Sequence, residues 1–156
     1  MIAFAVPGFA DFRLEHLVLD FNGTLAEDGV LVSGVQPVLA VLGEILMVHV
    51  VTADTFGCAA NQLAGLPLRL TILQGSGQAE AKLRYVHELG ADRVVAIGNG
   101  RNDSKMLAAA ALGIAVIQRE GSAFATLAAA NIVVASVIDA LELLLHRDRL
   151  VATLRS

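Results

Sequence analysis

Residues 17–25 read LVLDFNGTL, an apolar run that ends in a carboxylate and breaks at once into Asn-Gly-Thr. A short apolar run of this kind is typical of a strand buried on both faces of a parallel sheet. Open sheets of alternating strands and helices bind their ligands beyond the carboxyl ends of the strands. Asp20, which closes the apolar run, is therefore the first candidate for chemistry.

Length and composition predict one α/β domain. The chain has 156 residues, and we expect residues 1–156 to fold around one core. Hydrophobic residues make up 56% of the chain and charged residues 17%, which favours burial of some apolar surface in a homo-oligomer. The net charge is -4 and no block of lysine or arginine occurs, so a nucleic acid is not an expected partner.

Neither a membrane segment nor a disulfide is expected. Cys58 is the only cysteine, and no cluster of Cys and His has the spacing of a zinc site. The longest apolar run, residues 106–117, is far shorter than the roughly 20 residues that a membrane-spanning helix needs. Residues 1–12 lack the basic start and the cleavage site of a signal peptide. We therefore expect a cytoplasmic protein with no membrane partner.

Short apolar runs alternate with helical patterns along the rest of the chain. This alternation predicts a Rossmann-like parallel sheet sandwiched by helices. Turn residues within 23–34 predict a small flap. The predicted strands after the first run are 46–51, 68–73, 93–97, 114–117 and 132–134. The predicted helices are 35–43, 56–64, 78–89, 104–111, 123–130 and 138–146.

Polar groups fall at four points near the carboxyl ends of these strands. They are Asp20, Thr52, the loop 99–103, and Lys82 near the start of the helix after the third strand. In a doubly wound sheet such ends converge on one crevice. The set provides carboxylates, a hydroxyl, an ammonium group and glycine-rich turns, which together suit a divalent metal ion and a phosphoryl group.

The same residues resemble the four ordered motifs of the haloacid dehalogenase superfamily. The motifs are Asp20-Phe21-Asn22-Gly23-Thr24, Thr52, Lys82 and Gly98-Asn99-Gly100-Arg101-Asn102-Asp103. They occur in the expected order between about residues 17 and 117, in a pattern most similar to soluble, P-type-ATPase-like hydrolases. The resemblance implies the Rossmann-like fold of that superfamily, and the short spacing from Asp20 to Thr52 leaves little room for a large cap domain.

The resemblance also implies roles for individual residues. Asp20 would be the nucleophile that forms an aspartyl-phosphate with a small phosphorylated substrate, Thr52 would bond a phosphoryl oxygen, and Lys82 would offset its charge. The implied Mg²⁺ ligands are Asp20, Asn22 through its backbone carbonyl, Asn99 through its side-chain oxygen, and Asp103. The implied substrate-binding residues are Asn22, Gly23, Thr52, Lys82 and Asn102. We therefore expect a magnesium-dependent phosphohydrolase or phosphotransferase.

Two positions depart from the usual pattern of the superfamily's phosphatases. Asn22 stands where many of them have an aspartate that protonates the leaving group, and an amide cannot shuttle a proton at neutral pH. Asn99 stands where an aspartate often lies beside the metal. We therefore expect slow hydrolysis, and the alternative is a non-catalytic regulatory or phosphate-binding domain that retains the fold. A receiver-like domain is a weaker option, because no acidic pair precedes Asp20.

Each candidate residue also has a purely structural interpretation. Asp54 is expected to cap the helix that follows it, and Asp103 could cap the helix predicted at 104–111. Lys82, taken alone, would be a solvated helix residue. His49 lies in an apolar strand, where a satisfied core histidine is expected, and His16 has no companion at ligand spacing.

Overall fold

The computed structural model describes residues 1–156, which form ten strands and seven α-helices. None of these helices has the length and apolar composition that crossing a bilayer requires. The strands are β1 (Ile2–Val6), β2 (Ala10–Leu14), β3 (His16–Leu19), β4 (Ala26–Glu27), β5 (Val30–Leu31), β6 (Met47–Thr52), β7 (Leu68–Ile72), β8 (Val94–Gly98), β9 (Leu112–Val116) and β10 (Ile132–Val134). The helices are α1 (Val35–Leu42), α2 (Ala59–Gln62), α3 (Gln78–Leu89), α4 (Ser104–Ala109), α5 (Phe124–Ala129), α6 (Val137–Leu145) and α7 (Arg147–Leu154).

Six strands form a parallel sheet at the centre of the fold, in the order β10-β9-β8-β3-β6-β7. The strand β3 pairs with β8 on one side and β6 on the other, so that Leu19 lies opposite both Ile97 and Val50. Every residue of β3, β8 and β9 is buried, as expected for strands covered on both faces. The predicted α/β fold with a Rossmann-like parallel sheet is confirmed.

Helices cover both faces of this sheet. Successive residues of β3 point to opposite faces, so Leu17 and Leu19 pack in one apolar layer with α1 and α6, whereas Val18 packs in a second layer with α3 and α4. Burying one such side chain contributes about 1.5–3 kcal/mol relative to exposure. The two layers therefore hold the strand ends, and the residues that follow them, in fixed positions.

The segment predicted as a flap contains one small antiparallel hairpin, formed by β4 and β5. It is the only regular structure between β3 and α1. The Sγ atom of Cys58 donates a hydrogen bond to the backbone oxygen of Gly29, at the tip of the hairpin, over 2.9 Å. The tip is thereby joined to the start of α2.

Two regions of regular structure were absent from the predicted order. The strands β1 and β2 form an antiparallel hairpin outside the main sheet, with the rings of Phe4 and Phe12 stacked at 4.8 Å between centroids. The helix α7 packs against β1 and buries Leu150 completely. Both elements bury only one narrow side, so their apolar periodicity is weak.

The helix α2 is shorter than the predicted range 56–64. Asp54 (φ 50°) and Gly57 (φ 68°) adopt left-handed conformations that do not belong to an α-helix. The Oδ1 atom of Asp54 accepts hydrogen bonds from the backbone N–H groups of Cys58 and Ala59, both at 3.0 Å. Asp54 therefore has the capping role expected of it, and the helix begins later because the turn precedes it.

Candidate active site

Three charged side chains form a buried cluster at the carboxyl edge of the central sheet. The Lys82 Nζ atom lies 2.6 Å from Asp20 Oδ1 and 2.7 Å from Asp103 Oδ1. Lys82 and Asp103 are fully buried, and Asp20 is 6% exposed. Residues far apart in the chain thus meet at the edge where the sequence predicts a site.

Asp20 and Thr52 stand at the ends of adjacent strands. Asp20 follows β3, and its backbone N–H donates to the oxygen of Ile97 in β8 at 3.0 Å. Thr52 is buried and is the last residue of β6, on the other side of β3. Its Oγ1 atom accepts a hydrogen bond from the backbone N–H of Asp54 at 3.0 Å, so the hydroxyl proton is free to be donated to a ligand.

Lys82 reaches the cluster because it lies on the buried stripe of α3. Val86, one helical turn later, is the other buried residue of this helix, and residues four apart share a helix face. Lysine is almost never fully buried unless it is paired. The interpretation of Lys82 as a solvated residue is therefore wrong, and its place on an apolar stripe is the sequence signal that marks it.

The second oxygen of Asp103 is held by the turn before α4. Asp103 Oδ2 accepts hydrogen bonds from the backbone N–H groups of Asn99, at 3.0 Å, and Gly100, at 2.9 Å. A Cβ atom at Gly98 would lie 2.5 Å from Asp103 Cγ, so the close approach requires glycine there. Both oxygens of Asp103 are engaged by protein donors, which fixes the position of the Lys82 ammonium group.

When both carboxylates are ionised, the cluster carries one uncompensated negative charge, because it contains two carboxylates and one ammonium group. Burial raises the pKa of Asp20, repulsion by Asp103 raises it further, and Lys82 opposes both effects. Burial would lower the pKa of Lys82, but the two carboxylates outweigh it and raise that pKa. The ammonium group therefore stays charged at neutral pH, and the site attracts a further cation.

Asn22, two residues after Asp20, presents an unpartnered oxygen. Its Oδ1 atom is buried and is the only buried side-chain polar atom in the chain without a hydrogen-bond partner. Such atoms are nearly always paired, so this oxygen is available to a ligand. No group of three or more His, Cys, Asp or Glu side chains forms a metal cluster, so amide oxygens and water would complete a coordination shell around a cation here. Oxygen donors beside excess negative charge fit Mg²⁺.

Asn99 ties the loop after β3 to the segment before α5. Its Oδ1 atom accepts a hydrogen bond from Thr24 Oγ1 at 3.1 Å, and its Nδ2 atom donates to the oxygen of Gly121 at 2.9 Å. Gly23 has φ +78°, and a Cβ atom there would lie 2.4 Å from Asn99 Nδ2, so the glycine makes room for this amide. The Asn99 side chain therefore has a structural role that the sequence did not predict.

Gln118 was not among the predicted site residues. Its Nε2 atom donates to the backbone oxygens of Gly23, at 3.2 Å, and Thr24, at 2.8 Å, while its Oε1 atom accepts from the N–H of Val137 at 2.7 Å. It therefore fastens the loop after Asp20 to the first turn of α6. A lone glutamine carries no motif, so only the fold reveals this role.

Asn102 lies to one side of the ionic cluster. Its Nδ2 atom donates to Gln78 Oε1, at the start of α3, over 2.9 Å. Both residues line a cavity of about 620 Å³ that is also lined by Arg101 and Lys105 but by none of the three catalytic candidates. The Asn102 amide is therefore bonded to the neighbouring helix α3, and its role in substrate binding stays a prediction.

Comparison with known proteins gives one relative by sequence. No protein-family model matches the chain. A protein of Methanocaldococcus jannaschii described as uncharacterized is 46% identical over 79 residues, which span 48% of this chain and 85% of that protein. The chain belongs to the same family as this archaeal protein.

Solved structures that are similar to this chain include hydrolases. The cobalt-bound deoxy-D-mannose-octulosonate 8-phosphate phosphatase of Haemophilus influenzae has a TM-score of 0.70 and 15% identity, over 86% of this chain and 88% of that chain. The 3-deoxy-D-manno-octulosonate 8-phosphate phosphatase of Moraxella catarrhalis, in complex with magnesium, phosphate and KDO, has a TM-score of 0.67 and 17% identity, over 91% and 94%. A haloacid dehalogenase-like hydrolase of Bacteroides thetaiotaomicron has a TM-score of 0.62 and 12% identity, over 86% and 99%. The chain therefore has the fold of the haloacid dehalogenase superfamily, with no cap domain between β3 and α1.

Proposed function

We propose that the chain is a magnesium-dependent phosphohydrolase or phosphotransferase that acts on a small phosphorylated compound through an aspartyl-phosphate on Asp20. The observation that carries the proposal is the contact of Lys82 with both Asp20 and Asp103, at 2.6 and 2.7 Å. A lysine held against carboxylates at this edge of a parallel sheet is suited to neutralise a phosphoryl group. The fold shared with phosphatases that bind cobalt or magnesium supports the proposal.

In the first step, Asp20 attacks the phosphorus atom of the substrate. A carboxylate–phosphorus bond forms as the bond from phosphorus to the leaving oxygen breaks, and the leaving oxygen takes a proton from water. Lys82 binds only Oδ1 of Asp20, which leaves Oδ2 as the nucleophile. Thr52 donates a hydrogen bond to a phosphoryl oxygen, and Lys82 offsets the negative charge.

In the second step, water attacks the phosphorus atom and Asp20 leaves as a carboxylate. A carboxylate two residues after the nucleophile would accept the proton of this water, but the Asn22 amide does not titrate at neutral pH. General acid–base catalysis contributes about 10²–10⁴-fold. The aspartyl-phosphate should therefore persist, and transfer to an acceptor other than water becomes competitive.

The proposed magnesium ligands differ in how free their oxygen atoms are. Asp20 would hold magnesium through Oδ1, which also contacts Lys82, because Oδ2 is the nucleophile, and Asn22 would hold it through its backbone carbonyl. Asn99 Oδ1 keeps one lone pair beside its bond from Thr24, whereas Asp103 contributes through its charge because both of its oxygens are engaged. When bound, magnesium would offset the charge of the phosphoryl group.

Substitution of the nucleophile tests the proposal. Asp20→Asn should abolish magnesium-dependent hydrolysis of an aryl phosphate, and it should abolish labelling of the protein by radiolabelled acetyl phosphate. The label on the unsubstituted protein should be released by hydroxylamine, as an acyl phosphate is. Asp11→Asn, which changes an exposed carboxylate of β2, is the matched control and should retain both properties. Equal activity of Asp20→Asn and the unsubstituted protein would overturn the proposal.

A second candidate is a non-catalytic domain that binds phosphate or a metal ion. It is favoured by the amide of Asn99, which is hydrogen-bonded on both sides to Thr24 and Gly121 in place of a charged ligand. This candidate predicts that magnesium or inorganic phosphate binds, as measured by calorimetry, without turnover of any phosphate ester. Turnover that disappears with a chelator would exclude it.

A further inference from the structure

Three titratable side chains form a hydrogen-bonded chain towards the amino ends of β3 and β6, away from the candidate active site. The atoms His16 Nδ1 and His49 Nε2 lie 3.1 Å apart, and His49 Nδ1 and Tyr85 Oη lie 3.0 Å apart. The two histidines are 7% and 4% exposed and line a cavity of about 340 Å³. His49 is a satisfied core histidine, as expected, and its partner His16 lies 33 positions away in the sequence. We call the three residues the histidine–tyrosine chain.

Each member of the histidine–tyrosine chain shares its segment of the fold with a catalytic candidate. In each pair the two residues are only three or four positions apart. The pairs are His16 and Asp20 on and after β3, His49 and Thr52 on β6, and Tyr85 and Lys82 on α3. The hydrogen bonds of the histidine–tyrosine chain therefore cross-link β3, β6 and α3. The relative positions of these three elements set the geometry of the candidate site.

The number of protons on the two imidazoles determines whether both hydrogen bonds of the histidine–tyrosine chain can form. A neutral imidazole has one donor and one acceptor nitrogen, so two neutral rings and a phenol can make both hydrogen bonds. One added proton also leaves both bonds intact, because only one of the two facing nitrogens then carries hydrogen. When both rings are protonated, N–H faces N–H between His16 and His49, and that bond must break.

The surroundings of the histidine–tyrosine chain favour the neutral form. Burial lowers the pKa of His16, while Glu15 opposes this change and Arg93 adds to it. Burial lowers the pKa of His49 to about 4, with further contributions from His16 and Arg69. At neutral pH both rings are therefore uncharged and both hydrogen bonds can form.

We infer that the histidine–tyrosine chain positions Asp20, Thr52 and Lys82 relative to one another while both imidazoles are neutral, and that uptake of two protons releases this alignment. Misplacement of a reacting group by about 1 Å can cost on the order of 10²-fold in rate. The consequence for catalysis rests on the proposed function, but the alignment of Lys82 can be tested without any activity.

Two variants break the histidine–tyrosine chain at neutral pH. Tyr85→Phe removes only the hydroxyl group. His49→Gln replaces the imidazole by an amide, which cannot place polar atoms at both ring-nitrogen positions. The protein has two lysines, Lys82 and the half-exposed Lys105, so NMR of isotope-labelled lysine gives one reporting signal and one internal reference. Both variants should shift the side-chain signal of Lys82 and leave that of Lys105 in place. They should also lower kcat for an aryl phosphate by about 10-fold, with a smaller change in KM.

The proton uptake that the release requires is measured through the free energy of unfolding as a function of pH. The pKa of an unfolded histidine is about 6.5, whereas burial lowers the pKa of His49 to about 4 in the folded chain. The unfolded state therefore binds more protons between these values, so stability is full above pH 6.5 and falls as the pH drops towards 4. The double variant His16→Asn/His49→Gln should show a flatter profile, and His87→Gln, on the exposed face of α3, should match the unsubstituted protein.

The outcomes separate this inference from the proposed function. Unchanged Lys82 signals in folded Tyr85→Phe and His49→Gln would overturn the inference, whatever the activity. Equal pH profiles of stability for the double variant and the unsubstituted protein would overturn the release by protons. A shifted Lys82 signal in a protein that never hydrolyses phosphate esters would support the alignment and reject the proposed function.

Discussion

Asn22 differs from the other residues of the candidate site because its side-chain oxygen has no partner. Asp20, Lys82 and Asp103 hold one another at 2.6 and 2.7 Å, and the Asn99 amide is bonded on both sides. A buried polar atom left unpaired costs about 1–3 kcal/mol. Local costs of this kind are expected at functional positions. Asn22 is therefore the residue at which a substitution changes the chemistry with the least loss of structure.

We predict that Asn22→Asp raises the rate of phosphate release. The new carboxyl group keeps the shape of the amide and can carry a proton, and repulsion by Asp20 and Asp103 should raise its pKa towards the useful range. The expected gain in kcat is on the order of 10²-fold, measured by steady-state hydrolysis of an aryl phosphate with magnesium. Asn61→Asp, on the exposed side of α2, is the control. An unchanged rate would mean that proton transfer does not limit turnover.

The residues of the site were predictable where they lie at fixed places on regular elements. The three catalytic candidates and Asp103 follow from strand ends and from a resemblance between ordered motifs. The contact of His16 with His49 could not be predicted from the sequence, because these residues are 33 positions apart and meet only through the register of β3 against β6. The bond between Asn99 and Thr24 depends on the same pairing of distant loops.

At the scale of elements, the loops after three strands of the sheet are fixed by side chains that bond to backbone groups. Asp54 holds the loop after β6, Gln118 the loop after β3, and Asp103 the loop after β8. Such bonds replace the hydrogen bonds of regular structure where the chain turns sharply. These bonds therefore hold in place the loops that present the functional groups at the strand ends.

We predict that Asp54→Ala lowers the free energy of unfolding by about 1 kcal/mol, because the N–H groups of Cys58 and Ala59 lose their acceptor. Urea unfolding of the purified chain measures this loss. Asp54→Asn keeps an oxygen at the same place and should retain most of the stability. Equal losses in the two variants would mean that the charge of Asp54, rather than its two hydrogen bonds, stabilises α2.

Two elements were predicted to the residue, the other predicted elements with bounds that differ by up to three residues, and the elements with a narrow buried side were missed. The helix α3 and the strand β10 have the predicted bounds, 78–89 and 132–134. The hairpin β1–β2 and the helix α7 were missed because most of their residues face solvent or lie at its edge. The start of α2 was predicted too early, because the left-handed backbone of Asp54 leaves no mark in the hydrophobic pattern.

At the scale of the whole molecule, the hairpin β1–β2 and the helix α7 extend the larger apolar layer beyond the sheet. Leu150 belongs to the same buried cluster as Phe12 and Leu17. The Nη1 atom of Arg147 donates to the backbone oxygen of Ala3 at 3.2 Å, which adds a polar link between α7 and β1. The two elements should therefore unfold together with the sheet.

We predict that Leu150→Ala lowers the free energy of unfolding by about 2–5 kcal/mol, because it removes a fully buried side chain and leaves a cavity. Leu145→Ala changes a side chain that is 37% exposed and should cost less. Urea unfolding monitored by circular dichroism gives both values. Similar small losses in the two variants would mean that α7 is not part of the cooperative core.

Large apolar side chains also remain on the surface. Phe124 is 83% exposed, Met47 54% and Phe56 53%. The expectation of a homo-oligomer rests on side chains of this kind and stays a prediction.

The reactivity of the Cys58 thiol reports on the β4–β5 hairpin, because the thiol donates a hydrogen bond to the tip of that hairpin. Alkylation requires the thiolate, and the hydrogen bond to the Gly29 carbonyl holds the sulfur in its protonated form. Since Cys58 is the only cysteine of the chain, all of the alkylation occurs at this contact. The rate of alkylation, followed by mass spectrometry with and without magnesium, would thus measure how often the hairpin separates from Cys58.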